Sequence, residues 1–315
     1  MKRYMRVAPL SRRYAVALGC ATTASFAIAS SVAKAGGGQT SLPVDQIEQV
    51  LGASGTVQNG VLSVEIDRTD AQKAFFEPEH VLVLPEFELN GTLYFQPLSG
   101  GQAILNADFC LFTDETNKFI DALKANGLIV MAFHQHFFDL NPIFWFVHWR
   151  GVGDPIALAT ASRNAIGVTR TPLPQPAPSM KTPFDADKLA SILGGTADVG
   201  GSGVVTVSVA RQEQIRLGGI PIKSETGVST TVAFEPLDSS GQQAVGAPDF
   251  ALIGKEVDPV FQTMSKQGFK IGCLYNQETD ERPQLYFSHQ WKVGDPYDLA
   301  REIKNGLDLT KSETA

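Results

Sequence analysis

The sequence predicts an α+β fold of two tandem homologous domains, each an antiparallel or mixed sheet with helices packed on it. The first observation behind this prediction is an internal repeat. Residues 142–148, PIFWFVH, correspond to residues 283–289, PQLYFSH, and the VGDP step at 152–155 recurs at 293–296, with one shared offset of 141 residues. The second observation is that strands are grouped, with helices between and after them, which favours α+β over alternating α/β.

Each copy has the same predicted order of elements. In the first copy, helices cover 45–51 and about 114–126, and strands cover 60–66, 80–84, 91–96 and 102–112. An aromatic pair of strands follows at 127–150. A last helix opens at Asp154 and Pro155, because aspartate caps helices and proline suits their first position. The second half of each copy has a ferredoxin-like order of elements.

The domain boundaries follow from these elements. In the second copy the first helix covers 185–193, and Gly52 and Gly194 are the predicted helix stops. We expect a first domain at 36–168, a proline-rich linker at 169–183 that forms a semi-rigid extended segment, and a second domain at 184–315.

Residues 1–35 have the features of a signal peptide. A basic start is followed by an apolar run to Val32, and residues 33–35, AKA, have the small-x-small form of a cleavage site. The SRRY motif around Arg12 and Arg13 resembles the start of a twin-arginine signal. We therefore expect an exported, periplasmic or extracellular protein whose mature chain begins at Gly36. No later segment has the roughly 18 uninterrupted apolar residues of a membrane span.

The mature chain is strongly acidic. The first 35 residues hold six Lys and Arg and no Asp or Glu, which leaves 20 basic and 33 acidic residues and a net charge of −13. This balance argues against nucleic acid as a partner, because nucleic-acid binding depends on phosphate neutralisation by Lys and Arg. A metal or another cationic ligand is compatible with it.

The stretch at 127–150, GLIVMAFHQHFFDLNPIFWFVHWR, holds three of the five histidines. We predict a hairpin with a polar turn at 139–142. His134 and His136, two apart on one strand, then point to one side of the sheet. His148 lies on the return strand. An odd number of turn residues would place it on the face of His134, and an even number would place it on the opposite face.

Three imidazoles on one face suit Zn, Cu, Ni or Fe(II). His134, His136 and His148 are therefore the predicted metal ligands, and the candidate oxygen ligands are Asp70, Asp108, Glu115 and Asp139. The repeat supplies an internal comparison, because the second copy has Tyr275 and Gln277 at the positions of the first two histidines and keeps only His289. The alternative without a site is that His134 and His136 lie on a solvated sheet face and His148 is a hydrogen-bonded, half-buried histidine.

Other residue types point to structural roles. Arg68 and Arg211 follow equivalent strands and could bind a carboxylate ligand, although pairing with the nearby Asp70 and Glu213 is the preferred interpretation. After cleavage, Cys110 and Cys273 are the only cysteines; an exported protein could join them in a disulfide, but their apolar surroundings favour buried free thiols.

Several of these residues resemble the signature of the LppY/LpqO family of exported bacterial proteins, which has two tandem domains and no established biochemical role. The signature is a strand ending in His-x-His, a short turn, and an aromatic strand ending in His near a Trp and a Gly-Asp step. In the first copy the matching residues are His134, His136, His148, Trp149, Gly153 and Asp154. The second copy matches at His289, Trp291, Gly294 and Asp295 only.

Two ligand-binding hypotheses follow, beside a third possibility of a structural envelope protein with no small ligand. None of them identifies a reaction or decides whether the protein is an enzyme. The first is a divalent transition metal held by the three histidines of the first domain. The second is a metal-free module in which the aromatic hairpin and the two domains frame a cleft for a small apolar or anionic ligand, contacted by the histidines and Arg68. Further candidate ligand-binding residues are Arg68, Asp139, Trp149 and His289.

Overall fold

The computed structural model describes residues 41–71, 73–177 and 181–312. The predicted signal peptide at 1–35, with its twin-arginine-like motif, lies outside these residues. Within the described ranges, no helix is both long enough and apolar enough to cross a membrane.

The first domain is a six-stranded antiparallel sheet covered by helices on one face. Its strands are β1 (Gly55–Gln58), β2 (Val61–Asp67), β3 (Ala74–Phe76), β4 (Val81–Val83), β5 (Asn90–Pro97), β6 (Ala103–Phe112), β7 (Ile129–His134), β8 (Leu140–Asn141) and β9 (Phe144–Gly153). Its helices are α1 (Val44–Leu51), α2 (Pro85–Glu88), α3 (Thr116–Ala125) and α4 (Pro155–Ile166). The large sheet has the order β1-β2-β5-β6-β9-β7, and a small sheet has the order β4-β3-β8.

The second domain repeats this arrangement. It contains α5 (Ala186–Leu193), β10 (Thr196–Val199), β11 (Val205–Val209), β12 (Arg216–Leu217), β13 (Ile220–Pro221), β14 (Thr230–Pro236), β15 (Ala244–Leu252), α6 (Gly254–Lys266), β16 (Lys270–Ile271), β17 (Tyr286–Gly294) and α7 (Pro296–Leu307). The sheet order, β10-β11-β14-β15-β17-β16, is equivalent to that of the first domain, and strands β12 and β13 form a separate ribbon. The predicted α+β class and the duplication are both confirmed.

The ferredoxin-like order has a simple structural counterpart. In the first domain β9 pairs antiparallel with both β6 and β7, so that β6 and β7 run parallel on either side of it and are connected through α3. This is a split β-α-β unit. Further strands extend the sheet on the β6 side, through β5 and β2 to β1.

The helix ends match the sequence prediction. Gly52 and Gly194 end α1 and α5 in the left-handed backbone region, with φ of 73° and 79°, which glycine adopts without steric cost. The side chain of Asp154 accepts a hydrogen bond from the backbone N–H of Ala157, and Asp295 caps α7 in the same way. These caps fix where the last helix of each domain leaves the sheet.

The two faces of each sheet have different partners because side chains alternate along a strand. On β6, Leu105, Ala107 and Phe109 pack into the helix-covered core of the first domain. Their neighbour Cys110 points the other way, into an apolar cluster that contains Val245 and Ala247 of the second domain. The open sheet faces of the two domains therefore pack against each other, and the polar residues on these faces meet at the interface.

The connection after β7 differs from the predicted hairpin. Strand β7 ends at His134, and β8 lies within the connection and pairs with β3 instead of continuing toward β9. The expectation that His134 and His136 share one strand is therefore wrong, because pairing of Leu140 with Phe76 draws the chain away from the large sheet. The turn is longer than the predicted 139–142.

The segment predicted as a linker packs on the first domain where it is described. The backbone N–H of Gln175 donates to the carbonyl oxygen of Gly52 at 2.7 Å, and its side chain donates to the carbonyl oxygen of Asp67. Arg170 pairs with Asp114 and Glu115. Residues 169–177 thus follow the surface of the first domain.

Candidate metal centre at the domain interface

Three histidines of the first domain converge. The register of β7 and β9 pairs His134 with Phe146 and Ala132 with His148, which puts both imidazoles on the same sheet face. This is the first of the two registers left open by the sequence. Although His136 lies just beyond the strand, its ring centroid is 5.2 Å from that of His134. One nitrogen from each of the three rings lies within 4.8 Å of the others.

A second group shares His136 and extends across the interface. It consists of Glu88 at the end of α2, His136 and His289 on β17 of the second domain, again with all ligand atoms within 4.8 Å. Glu88 Oε2 lies 3.4 Å from Nδ1 of His136 and 3.9 Å from Nε2 of His289. His289, predicted only as a weak candidate, therefore lies beside the main cluster.

Aromatic rings enclose the imidazoles. Tyr275 stacks on His134 with ring centroids 3.5 Å apart, and Phe146 stacks on His136 at 3.3 Å. His136 also stacks on His289 at 3.6 Å. Tyr275 of the second domain corresponds to His134 in the repeat. The tyrosine that replaces the histidine in the second domain therefore stacks on the equivalent histidine of the first domain.

Burial keeps the imidazoles neutral. Desolvation lowers the pKa of His148 and of His289 to about 3 and lowers the pKa of His134 and His136 well below the ordinary value. A neutral imidazole has a free lone pair and is the form that binds metals. Neighbouring histidines lower the pKa of His134 and of His136 further.

The ring nitrogens have unused bonding capacity. Within the described residues, both nitrogens of His134, both nitrogens of His136 and Nε2 of His148 are buried without a hydrogen-bond partner. Buried polar atoms in proteins nearly always have a partner, because leaving one unsatisfied costs about 1–3 kcal/mol. These nitrogens fit a site whose partner is an ion.

Buried carboxyl groups surround the histidines. Asp108 is paired across the strands with His148, as Asp249 is with His289 in the second domain. Burial raises the pKa of Asp108 to about 6. Burial and the proximity of Asp108 raise the pKa of Asp249 to about 8. The pKa of Glu88 is raised well above its ordinary value, by burial first and by Asp249 second. A cation among these carboxyl groups would favour their charged forms.

Comparison with known families matches both domains to the same sequence family. Its model, described as Domain of Unknown Function (DUF1259), covers residues 45–168 and 187–309. The chain belongs to the DUF1259 family. This agrees with the expectation of an uncharacterised tandem-domain family, but the family description does not include the name LppY/LpqO.

Other comparisons add little. No curated protein matches the chain. Among solved structures, a trimeric bacterial microcompartment shell protein, PduB, aligns with a TM-score of 0.20 and 10% identity over 84% of this chain and 97% of that chain. A TM-score this low supports no conclusion about fold or function.

Arg68 of the first DUF1259 domain does not reach the histidines. Its fully buried guanidinium donates to Asp70, to Glu115 and to the carbonyl oxygen of Cys110. The preferred pairing interpretation is confirmed, and Arg211 makes the equivalent contacts with Glu213 and Glu256. Because Asp70 and Glu115 are committed to Arg68, they are not oxygen ligands of the histidine cluster.

Two other weak candidates also have structural roles. Trp149 is buried in the helix-covered core, and its indole N–H donates to the hydroxyl of Ser162. Asp139 accepts a hydrogen bond from the indole N–H of Trp291 at 3.2 Å. Among the described residues, neither Trp149 nor Asp139 belongs to the two groups of potential metal ligands.

The cysteines are free thiols in the described part of the chain. Cys110 is buried in the interface, and burial raises its pKa well above the ordinary value. Cys273 lies beside His289, with 3.4 Å between its sulfur and the ring Nδ1. The disulfide alternative is therefore contradicted, and the free-thiol interpretation is confirmed.

Sequence reasoning missed Glu88. This residue lies in the segment VLVLPEFEL at 81–89, where a short helix was not predicted. The only local signal is a pair of acidic residues within an apolar run. Burial of Glu88 beside His136 depends on how α2 packs under the interface, and the sequence pattern gives no direct indication of that packing.

An acidic cleft opens beside the cluster. It has a volume of about 740 Å³ and is lined by residues of both domains, including His136, His148 and His289. Among the described residues, no lysine or arginine lines it. A cleft of this charge disfavours the anionic ligand considered from sequence and leaves Arg68 without a role in binding one.

Proposed function

We propose that the protein binds a divalent transition metal ion at the domain interface, through His134, His136 and His148, with Glu88 and His289 of the adjoining group. The observation that carries the proposal is the convergence of buried imidazole nitrogens that lack hydrogen-bond partners in the described structure. Each of the two groups offers three ligand atoms, the number that a metal site takes from the protein when water completes the set.

The donor atoms favour a particular set of ions. Neutral imidazoles together with one carboxylate suit Zn, Cu, Ni or Fe(II), whereas Ca²⁺ and Mg²⁺ require mainly oxygen ligands. Such an ion would also be held by residues from both domains. Metal binding should therefore stabilise the folded pair of domains, because a ligand that binds only the native state raises its stability.

Elemental analysis tests this proposal directly. The mature chain is refolded with Zn, Cu, Ni or Fe(II), desalted, and assayed for bound metal. We expect stoichiometric metal in the wild type and its loss in the double variant His134→Ala/His136→Ala. The control is His80→Ala, because the His80 side chain is 67% exposed and lies outside both ligand groups. A wild type without stoichiometric metal would refute the proposal.

Two single variants separate the ligand groups. His148→Gln removes a ligand found only in the first group, and Glu88→Gln removes one found only in the second. A single ion that uses both groups predicts weaker metal binding in both variants. Loss of metal binding in only one variant would assign the ion to the ligand group that this variant disrupts.

The second candidate function is a metal-free binding module for a small molecule. The observation that favours it is the cleft of about 740 Å³, a volume typical of small-molecule sites. Thermal denaturation distinguishes the two functions. Stabilisation by metal that chelator reverses favours the metal centre, whereas indifference to both favours the module.

We also propose that the protein acts outside the cytoplasm. Support comes from the basic start, apolar run and cleavage motif of residues 1–35. Cell fractionation with N-terminal sequencing tests this, and the expected mature end is Gly36. A full-length chain in the cytoplasm would refute it.

A further inference from the structure

The acidic cleft has a charge pattern that the proposed metal ion does not explain. Glu88, Asp108 and Asp249 lie at its inner end, beside the histidines. Five more carboxylates line the rest of it, on both domains: Glu65, Asp67, Glu86, Asp198 and Glu225. With no basic side chain along the cleft in the described ranges, these charges lack a counterion from the protein.

Four of these five carboxyl groups, Glu65, Asp67, Glu86 and Asp198, lie close enough for their charges to repel. Burial raises the pKa of Glu65 well above its ordinary value, and Asp67 and Asp198 raise it further. Burial and Glu86 also raise the pKa of Asp67, to about 6. Like charges placed close together destabilise the folded protein. A cationic ligand would relieve the repulsion among these four groups and favour their charged forms.

The spacing of the carboxylates excludes a second compact metal site of the same kind. Among the described residues, the groups of three ligand atoms within 4.8 Å include Glu88 but none of the other seven carboxylates. The other seven line the cleft from both domains without forming a compact ligand group. Such a distribution matches a ligand whose positive charges are separated by a flexible chain.

Asn106 provides a separate observation that points to a hydrogen-bond donor. It lines the cleft and is only 4% exposed. Its Nδ2 donates to the carbonyl oxygen of Thr226 at 2.7 Å, which fixes the orientation of the amide. Within the part of the chain that is described, its Oδ1 has no hydrogen-bond partner. A fixed, buried acceptor of this kind fits an ammonium N–H.

Aromatic rings complete the lining. Tyr94 and Tyr275 both line the cleft, and an aromatic ring attracts an ammonium group that lies within about 6 Å of its face. The volume of about 740 Å³ accommodates a chain of several methylene groups with two or three amines.

We propose that the cleft between the two domains binds an extended organic polycation, of the linear di- or triamine class, through the carboxylates of both domains and Asn106. The carboxylates of Asp67 and Asp198 hold ammonium groups from opposite domains. The proposal goes beyond metal binding and does not depend on it, because the carboxylates away from the histidines are not metal ligands.

Titration calorimetry with spermidine tests the inference on the mature two-domain chain, kept metal-free with EDTA. We expect saturable one-site binding that weakens at least tenfold between 20 mM and 300 mM NaCl, as screening predicts for an electrostatic site. Triethylene glycol, a neutral chain of similar length, should not bind. Failure of spermidine to saturate a single site would overturn the proposal.

Matched variants locate the site. Asp67→Asn/Asp198→Asn removes two cleft charges and should weaken spermidine binding at least tenfold. Asp121→Asn/Asp187→Asn removes two exposed helix charges and should change it less than twofold. Equal weakening in both pairs would mean general attraction to an acidic surface and would overturn the proposal. Thermal melting of each variant checks its folding, and Glu65→Gln provides a second cleft variant.

The metal proposal is tested separately in the same assay. His134→Ala removes a ligand of the first group that does not line the cleft, so it should keep spermidine affinity within threefold of wild type while weakening metal binding. A spermidine site that disappears in this variant, or that appears only after metal loading, would overturn the independence of the cleft. A protein that binds spermidine without binding metal would refute the metal centre alone.

Discussion

Replacing Arg68 with methionine should destabilise the first domain more than any surface substitution. The guanidinium donates five hydrogen bonds: two to Glu115, two to Asp70 and one to the carbonyl oxygen of Cys110. Its side chain has no exposed area, and that of Glu115 is 4% exposed. Methionine fills much of the space but removes the charge, which leaves a carboxylate buried without its main partner.

The magnitude follows from what remains around each carboxylate. Removing one partner of a buried ion pair typically costs about 3–5 kcal/mol. Glu115 keeps donors from the backbone N–H groups of Phe112 and Arg170, and the Asp70 side chain, 19% exposed, can be hydrated. We therefore expect the lower end, about 3 kcal/mol.

The assay is urea denaturation followed by circular dichroism and tryptophan fluorescence. Adding Glu115→Gln to the Arg68→Met variant should restore at least about 1 kcal/mol, because it removes the stranded charge. Arg301→Met is the control, since the exposed Arg301–Asp298 pair should contribute less than about 1 kcal/mol. A loss below about 1 kcal/mol for Arg68→Met would refute the reasoning.

The stability loss caused by Arg68→Met should also depend on pH. Burial acts to raise the pKa of Glu115, but the bonds from Arg68 and Arg170 outweigh it and lower the pKa below 4.5. A lowered carboxyl pKa means that the folded state binds fewer protons than the unfolded state. The stability difference between wild type and Arg68→Met should therefore be fully present above pH 4.5 and shrink as the pH falls through the lowered value.

Three further predictions concern other sites. Gly91→Ala should cost about 2–3 kcal/mol by urea denaturation, because the new Cβ would lie 2.5 Å from the Asp108 carbonyl oxygen; an unchanged midpoint would contradict this. Ser162→Ala should lower the free energy of unfolding by about 1–3 kcal/mol, since it leaves the buried Trp149 indole N–H without its acceptor. A measured loss under about 0.5 kcal/mol would count against this reasoning. Burial raises the pKa of Glu281 to about 8, so the folded protein keeps a proton on this group between about pH 4.5 and pH 8, where the unfolded chain has lost it. The free energy of unfolding therefore falls as the pH rises across that window. Glu281→Gln should remove this contribution and gain stability relative to wild type from pH 5 to pH 8; parallel pH profiles would disprove it.

The histidines illustrate how far pattern analysis reaches. Strand periodicity grouped His134 with His136, and the duplication marked His289 as the counterpart of His148. The register between β7 and β9, which puts His134 and His148 on one face, was one of two open alternatives. The connection between these strands contains β8, which pairs with β3 far away in the chain, so the predicted short turn did not give its length.

The carboxylates show the complementary limit. Asp108, Asp139, Asp70 and Glu115 were equally plausible oxygen ligands because nothing in a sequence states which partner a carboxylate finds. In the folded chain Arg68 forms ion pairs with Asp70 and Glu115, and the Trp291 indole N–H donates a hydrogen bond to Asp139. Glu88, the carboxylate that lies among the histidines, had no signal that set it apart.

The sequence by itself determined the duplication, the α+β class, and the helix stops and caps, because these depend on repeats and on short-range backbone preferences. It named His134, His136 and His148 as candidates, but their convergence depended on the register of β7 and β9. Only the tertiary structure decided that the open faces of the two sheets pack together. This packing brings Glu88 and His289 beside the first-domain histidines and joins acidic residues of both domains along one cleft. Burial at that interface also keeps the imidazoles neutral, and burial depends on atoms from across the whole fold.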